Sequence, residues 1–279
     1  VSENVTSNIP APQFFTVLQA NKIIRHGRYF ESVASTNQMA LEQALELASG
    51  TVLIAGVQTL GRGRLQRTWH TERGDIAMSI LLRPPHVGPE LFLLPMLPAV
   101  AVVTALLRLG FQAKIKWPND IVIKREGAPL SYCGTYRKVG GILVETVFQK
   151  NQLSAAVIGV GINIVSKASS SVNVPHAQGL QEVDPRIDYD TVLGAVLRVW
   201  DEMIVANRSA VHWLGVYKES CITLGKPVVV GSGDDAISGH AVDIGSDGCL
   251  VVFDGQQERR AYAGDVSQDQ HASAPQNSD

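Results

Sequence analysis

Segments of strand character that follow one another through short turns constrain this chain more than anything else in its sequence. Residues 51–57 and 75–82 bracket a stretch rich in glycine and arginine, residues 112–117 and 121–124 flank Pro118-Asn119-Asp120, and residues 139–148 and 153–164 meet around 149–152. The turn residues Pro, Asn and Asp fall where the chain must reverse. Strands linked in this way predict a mixed or antiparallel sheet with packed helices gathered on one side, an α+β core.

Helical signals fall between the strands. Ser35 with Gln38 makes a capping-box pattern, after which Leu41, Ala44, Leu45 and Ala48 share one face until Gly50. The 17 residues 91–107 carry no charge, but Pro95 and Pro98 interrupt a run already at the lower limit for a membrane span. They predict a buried helix from near Pro98 to Gly110. Residues 190–206 place Leu193, Val196, Leu197, Trp200 and Ile204 on one face of a second packed helix. Residues 166–187 read as a polar loop.

Beyond Lys218 the texture changes. Short strands at 227–230, 237–244, 249–253 and 258–263, with Asp247-Gly248 and Asp254-Gly255 as hairpin turns, predict a compact barrel. The expected organisation is a poorly ordered segment at 1–20, a main domain at 21–217, the small β domain at 218–267 and a disordered tail at 268–279.

With 279 residues, 45% of them hydrophobic, the chain can bury a sizeable core. A net charge of −2 argues against a general nucleic-acid binder. Cys133, Cys221 and Cys249 form no C-x-x-C pair, fit neither a disulfide framework nor a zinc site, and imply a reducing compartment. The N-terminus lacks the basic-then-apolar pattern of a secretory signal. An intracellular protein is expected, cytoplasmic or else mitochondrial.

The charge that matters is local. Gly61-Arg62-Gly63-Arg64-Leu65-Gln66-Arg67-Thr68-Trp69 puts three arginines and an aromatic between two strands. Guanidinium forks match phosphate oxygens, and glycine permits positive φ and close approach to a ligand. Trp69 adds a flat surface on which a base can stack. Ser35-Thr36-Asn37 sits at a predicted helix N-terminus, where backbone N–H groups and hydroxyls can meet a ligand. Lys138 precedes Gly140-Gly141 at a strand start, a place for close backbone approach.

Taken in order, Ser35-Thr36-Asn37, the 61–69 loop, Lys116-Trp117-Pro118-Asn119-Asp120, Lys138-Val139-Gly140-Gly141-Ile142-Leu143-Val144-Glu145 and Gly159-Val160-Gly161-Ile162-Asn163-Ile164 resemble the catalytic core of the biotin protein ligases. The resemblance runs over roughly residues 30 to 265. It implies a core like that of the class II aminoacyl-tRNA synthetases followed by an SH3-like C-terminal domain. It also implies a two-step reaction in which ATP, carrying Mg2+ on its phosphates, activates biotin as biotinoyl-5′-AMP. A lysine of a biotin carrier domain of a biotin-dependent carboxylase then displaces AMP.

The same resemblance implies the roles. Ser35, Thr36, Asn37 and Gln58 would bind the ureido group, with Arg62, Gly63, Arg64, Lys138 and Gly141 completing the biotin site. Apolar walls would come from residues 142–144. Arg64, Arg67, Trp69, Lys116, Asn119, Lys138 and Asn163 would hold ATP and the adenylate. Lys138 would bridge carboxylate and phosphate, and Arg62, Arg64, Lys116 and Asp120 would complete the catalytic set. Asp120 either orients the incoming amine or holds its turn. No protein-bound metal site is assigned.

Two features depart from the family pattern. Leu65-Gln66 stands where a small residue is common, and residues 125–137 are an insertion. A lipoate ligase of the same fold is the nearest alternative. Gly159-x-Gly161 is followed by Ile164 rather than a third glycine, so the dinucleotide fingerprint fails. No two-helix pattern precedes Glu31, so a DNA-binding repressor is not expected, and retention of the loop arginines and Lys138 speaks against a non-catalytic biotin binder. Monomer and homodimer both remain open.

Overall fold

Described in the computed structural model are residues 11–84, 94–124, 135–165, 177–206 and 210–268. Most of the 125–137 insertion, much of the 166–187 loop, residues 1–10 and the tail beyond Gln268 lie outside them. Strands β1 (His26–Val33), β2 (Thr51–Gln58), β3 (Ile76–Leu82), β4 (Ala113–Lys116), β5 (Asp120–Lys124), β6 (Tyr136–Gln149) and β7 (Gln152–Ile162) form one sheet. Their spatial order is β1-β2-β3-β7-β6-β5-β4. Strand β1 runs parallel to β2 and every other neighbour is antiparallel.

That one parallel pair corrects the expectation of helices on a single side. A parallel connection needs a crossover, which must cover a face of the sheet. Helix α1 (Ala11–Ala20) precedes β1, and the crossover from β1 to β2 carries the second helix, α2 (Thr36–Glu42). It brings Ala40, Ala44 and Leu47 against Leu53, Leu81, Ala155 and Val157. Alternate residues Val52, Ile54, Ile80, Ala156 and Ile158 point the other way, as the period of two requires. They pack on the side of α3 (Met96–Arg108) and α4 (Tyr189–Ala206).

Sequence and structure also differ in detail at α2. Ser35 is its N-cap, accepting from the Gln38 backbone N–H at 3.4 Å, while the Gln38 side chain donates to Glu42 at 2.8 Å instead of returning to the cap. After Glu42 the chain continues in turns, so Ala44 and Leu47 face inward and Leu45 is 63% exposed. The N-terminal segment is not uniformly irregular either. Residues 11–20 form α1, and its Leu18 is buried against the main core. The edge strand β1 escaped notice because it is half exposed and polar.

Helix α5 (Ala210–Ser220) leads into β8 (Pro227–Val230), β9 (Ile237–Ile244), β10 (Leu250–Phe253), β11 (Glu258–Ala261) and β12 (Val266–Gln268). These make an antiparallel sheet ordered β11-β10-β9-β8-β12, one strand more than the sequence predicts. It is fastened to the main sheet at the β4–β5 turn. Ile222 N–H donates to Ile115 at 2.8 Å, Trp117 N–H to Thr223 Oγ1 at 3.0 Å, and Trp117 Nε1 to the Gly248 carbonyl at 3.1 Å. Val228, Ile244, Leu250 and Val252 join the same hydrophobic cluster as Trp117.

Asp201 of α4 ties down the segment between α1 and β1. Its buried carboxylate accepts from the backbone N–H groups of Lys22, Ile23 and Ile24 at 2.8, 2.6 and 3.1 Å. Removing this acceptor leaves three backbone donors, the buried Ile24 N–H among them, without it, which costs about 3 kcal/mol. Asp201→Ala should lower the melting temperature by roughly 6–12 °C, read by circular dichroism. An unchanged melting temperature would show that this segment is held by other contacts.

Candidate functional site

Strands β6 and β7 form the floor of a cavity of about 900 Å3 on the α2 face of the sheet. Gly141, Leu143 and Glu145 on β6 and Gly159 and Gly161 on β7 occupy alternate positions on that face. The glycines are there for space. A Cβ at Gly159 would come within 2.4 Å of Asn37 Oδ1, and one at Gly161 within 2.3 Å of the Trp69 ring. They therefore let Asn37 and Trp69 lie directly on the backbone, the close approach that a strand glycine permits. Of the predicted apolar wall, Leu143 faces the cavity whereas Val144 packs against the core of the other face.

One end of the cavity is neutral and rigidly hydrogen-bonded. Gln58 Oε1 accepts from Thr36 N–H at 2.8 Å and from Thr36 Oγ1 at 3.1 Å. Ser79 Oγ lies 2.7 Å from Thr36 Oγ1 and 2.5 Å from Asn37 Oδ1, so its one proton serves one of the two. Asn37 Nδ2 donates to Glu145 at 2.9 Å. Ser35, Thr36, Asn37 and Ser79 are all buried. Ser79 was not singled out from the sequence. Its signal was there, as a lone hydroxyl in the otherwise apolar run of β3, where a buried polar group needs a reason.

The other end is cationic. Lys138 Nζ pairs with Asp120 at 2.6 Å and lies 5.5 Å from the centre of the Trp69 ring. Lys116 and Asp120 are cross-strand partners on either side of the β4–β5 turn. Asn119 donates to the Ile142 carbonyl at 2.7 Å and accepts from Arg64 at 3.1 Å. Asn163 is fixed through its backbone, donating to Val139 and accepting from Leu180. Trp69 Nε1 and Thr71 Oγ1 are buried without a hydrogen-bond partner.

All the candidate residues named from the sequence line this one cavity: Ser35, Thr36, Asn37, Gln58, Arg62, Gly63, Arg64, Arg67, Trp69, Lys116, Asn119, Asp120, Lys138, Gly141 and Asn163. The loop arginines nevertheless have three different situations. Arg62 is bound to Glu145, Arg67 to Asp265 of the C-terminal sheet, and Arg64 lies between them on Asn119. Burial lowers the Arg64 pKa, an effect opposed by the negative charges of Asp120 and Asp265. Glu145 and Asp265 were missed because the sequence does not reveal which distant acid meets which arginine. Within the C-terminal domain Arg259 pairs with Asp254 and Arg260 with Asp247.

Positive φ in the loop also falls elsewhere than expected. Gly61 and Gly63 are not left-handed; Leu65 and Gln66 are, at φ 52° and 60°. Each such non-glycine residue costs about 1–2 kcal/mol. Gly61 serves close approach, since a Cβ there would lie 2.3 Å from the Trp69 carbonyl oxygen.

Comparison with known proteins agrees with this geometry. The pattern of the biotin/lipoate A/B protein ligase family matches residues 29–163, and that of the biotin protein ligase C-terminal domain matches residues 223–268. The biotin–[acetyl-CoA-carboxylase] ligase of Mycobacterium tuberculosis is 32% identical over 243 residues, covering 83% of this chain and 85% of that protein. The bifunctional ligase/repressor BirA of Bacillus spizizenii is 38% identical over 143 residues, 50% of this chain but only 41% of that relative's length. A solved structure of the Aquifex aeolicus biotin protein ligase in complex with biotin and ATP superposes with a TM-score of 0.72 at 26% identity, covering 87% of this chain and 98% of that one.

A two-faced α+β sheet with a neutral, hydrogen-bonding pocket joined to a cationic one thus defines a member of the biotin/lipoate A/B protein ligase family. The C-terminal match and the relative from Mycobacterium tuberculosis place the chain among the biotin protein ligases.

The contact between Gly161 and Trp69 is testable by itself. Gly161→Ala should destabilise the fold by about 2 kcal/mol through overpacking, and by much less in a Trp69→Ala background. Equal penalties in both backgrounds, measured by urea unfolding, would separate the indole from this glycine.

Proposed function

We propose that this chain activates biotin with ATP to give biotinoyl-5′-AMP and pyrophosphate, and then transfers biotin to a lysine of a carrier domain of a biotin-dependent carboxylase. The observation that carries this reading is the continuity of the two ends of the cavity. Thr36, Asn37 and Gln58 line one end with neutral donors and acceptors suited to a ureido group, and Ser79 is buried behind them against Thr36 and Asn37. Across Leu143 and Gly141 the same cavity reaches Lys138, Arg64 and Lys116, which suit a carboxylate meeting a polyphosphate.

In the first step a carboxylate oxygen attacks the α-phosphorus and pyrophosphate leaves. Two anions must approach, and charge builds on the α-phosphate oxygens as the bond forms. Fixed cations lower that barrier without having to reorganise. Lys138, held between Asp120 and the Trp69 ring, is the cation best placed at the junction of the two ends. Trp69, lying flat over Gly161 and Gly141, offers its other face to adenine. ATP enters as its magnesium complex, the ion being carried on the phosphates.

In the second step the carrier amine attacks the acyl carbon of the mixed anhydride, AMP leaves, and the amine gives up a proton. Beside the two expected roles of Asp120, orienting the incoming amine or holding its turn, its ion pair with Lys138 supports a third, holding that cation in place. Its carboxylate also lines the cavity there. Lipoate is the competing acid. The amide and hydroxyl groups of Thr36, Asn37 and Gln58 along the cavity wall support biotin, because a ureido group can exchange hydrogen bonds with them and the lipoyl dithiolane ring cannot.

ATP–pyrophosphate exchange with biotin and with lipoate decides between the acids. Exchange should depend on biotin, and Lys138→Ala should lower it about 100-fold while leaving the melting temperature close to that of the parent. Lipoate-driven exchange would overturn the substrate, and a fully active Lys138→Ala would overturn the role of Lys138. Mass spectrometry of a carrier domain incubated with biotin and Mg-ATP reads the second step at its target lysine.

A further inference from the structure

Glu145 has no assigned part in the chemistry, yet it joins two parts of the site. It stands on the cavity face of β6, two positions beyond Leu143, and both of its oxygens accept from Arg62 Nη2. Oε2 also accepts from Asn37 Nδ2, and Asn37 Oδ1 in turn meets Ser79 Oγ. A continuous chain of polar contacts therefore runs from buried Ser79 through Asn37 and Glu145 to Arg62, on the arginine loop. The Glu145 side chain is 28% and that of Arg62 40% exposed, so solvent screens part of their attraction and geometry, two oxygens on one guanidinium, defines the contact.

Other features of the loop give this contact a task. Its two central residues, Leu65 and Gln66, are left-handed, and Leu65 is 61% exposed. Neither backbone preference nor burial of Leu65 therefore favours the closed form. Beside its own backbone hydrogen bonds, the loop is held by side chains, Arg62 on Glu145, Arg64 on Asn119 and Arg67 on Asp265. The two ion pairs flank Arg64, which lines the cavity while donating to the neutral Asn119.

We propose that Glu145 is a positioning residue: by binding Arg62 it straps the arginine loop over the neutral end of the cavity and so sets how long the acyl-adenylate stays on the protein. The inference rests on the adenylate-forming reading above. It differs from a merely structural role in what it changes, which is retention of the intermediate. Glu145→Gln keeps an acceptor for Asn37 and removes the charge that holds Arg62.

The test uses the full chain and two measurements. Adenylate preformed from biotin and [α-32P]ATP is followed as it leaves the protein after dilution, and tryptic cleavage within the loop is timed without ligands. Glu145→Gln should release the adenylate at least tenfold faster than the parent and be cut faster after Arg64. Arg62→Gln should do the same, and the double variant should be no faster than either single one. Should Glu145→Gln fold poorly, Arg62→Gln tests the pair from the other side. Release at the parental rate from folded variants overturns the proposal, whatever the cleavage shows. If the parent forms no adenylate, the functional reading falls, while unchanged cleavage of the ligand-free variants independently overturns the strap.

Discussion

The site depends on the alternation of side chains along the paired strands β6 and β7. One face must supply aliphatic residues to the core against α3 and α4, and Ile142, Ile158, Val160 and Ile162 do so. The opposite face is then free to carry chemistry. Its central positions are glycines, so the sheet backbone itself becomes the floor on which Asn37 and Trp69 rest. Close packing does the rest, because groups lying on a rigid floor lose little further freedom when a ligand arrives.

On that floor the charges are arranged by partner. Isolated cations in a cavity of this depth would repel one another and lose hydration. Each loop arginine instead has a defined neighbour, Glu145 for Arg62, Asn119 for Arg64 and Asp265 for Arg67, while Asp120 is paired with Lys138. The neutral partner belongs to Arg64. An arginine held by an amide can turn to an anion without breaking an ion pair, whereas one bound to a carboxylate must give up that partner first. This distinction separates Arg64, suited to meet phosphate, from Arg62 and Arg67, suited to fasten the loop.

Much of this was legible in the sequence because it is local. Strands β2, β3, β6 and β7 follow from aliphatic runs between turn residues, α3 from Pro98 and Gly110, and the site residues from short ordered motifs whose members sit on adjoining strand ends. What escaped depends on distance along the chain or on a partner. Strand β1 is polar because it is an edge, and its parallel pairing with β2 placed α2 on the face that the sequence reading had left bare. Ser79, Glu145 and Asp265 are ordinary residues in isolation and acquire meaning only from Asn37, Arg62 and Arg67, which lie 42, 83 and 198 residues away. The glycines of the arginine loop were given the positive φ that Leu65 and Gln66 in fact adopt.

The C-terminal sheet enters the site by the same logic of fixed contacts. Trp117 is buried between the two sheets, with its backbone N–H on Thr223 and its indole on Gly248. The turn that follows it carries Asn119 and Asp120 into the cavity. Tyr217 adds a hydrogen bond to the Pro118 carbonyl at 2.8 Å. The smaller sheet therefore acts from two directions, fixing from behind the turn that holds Arg64 and Lys138, and meeting Arg67 from the front through Asp265. A domain with no catalytic motif of its own thereby determines where the groups at the cationic end can stand.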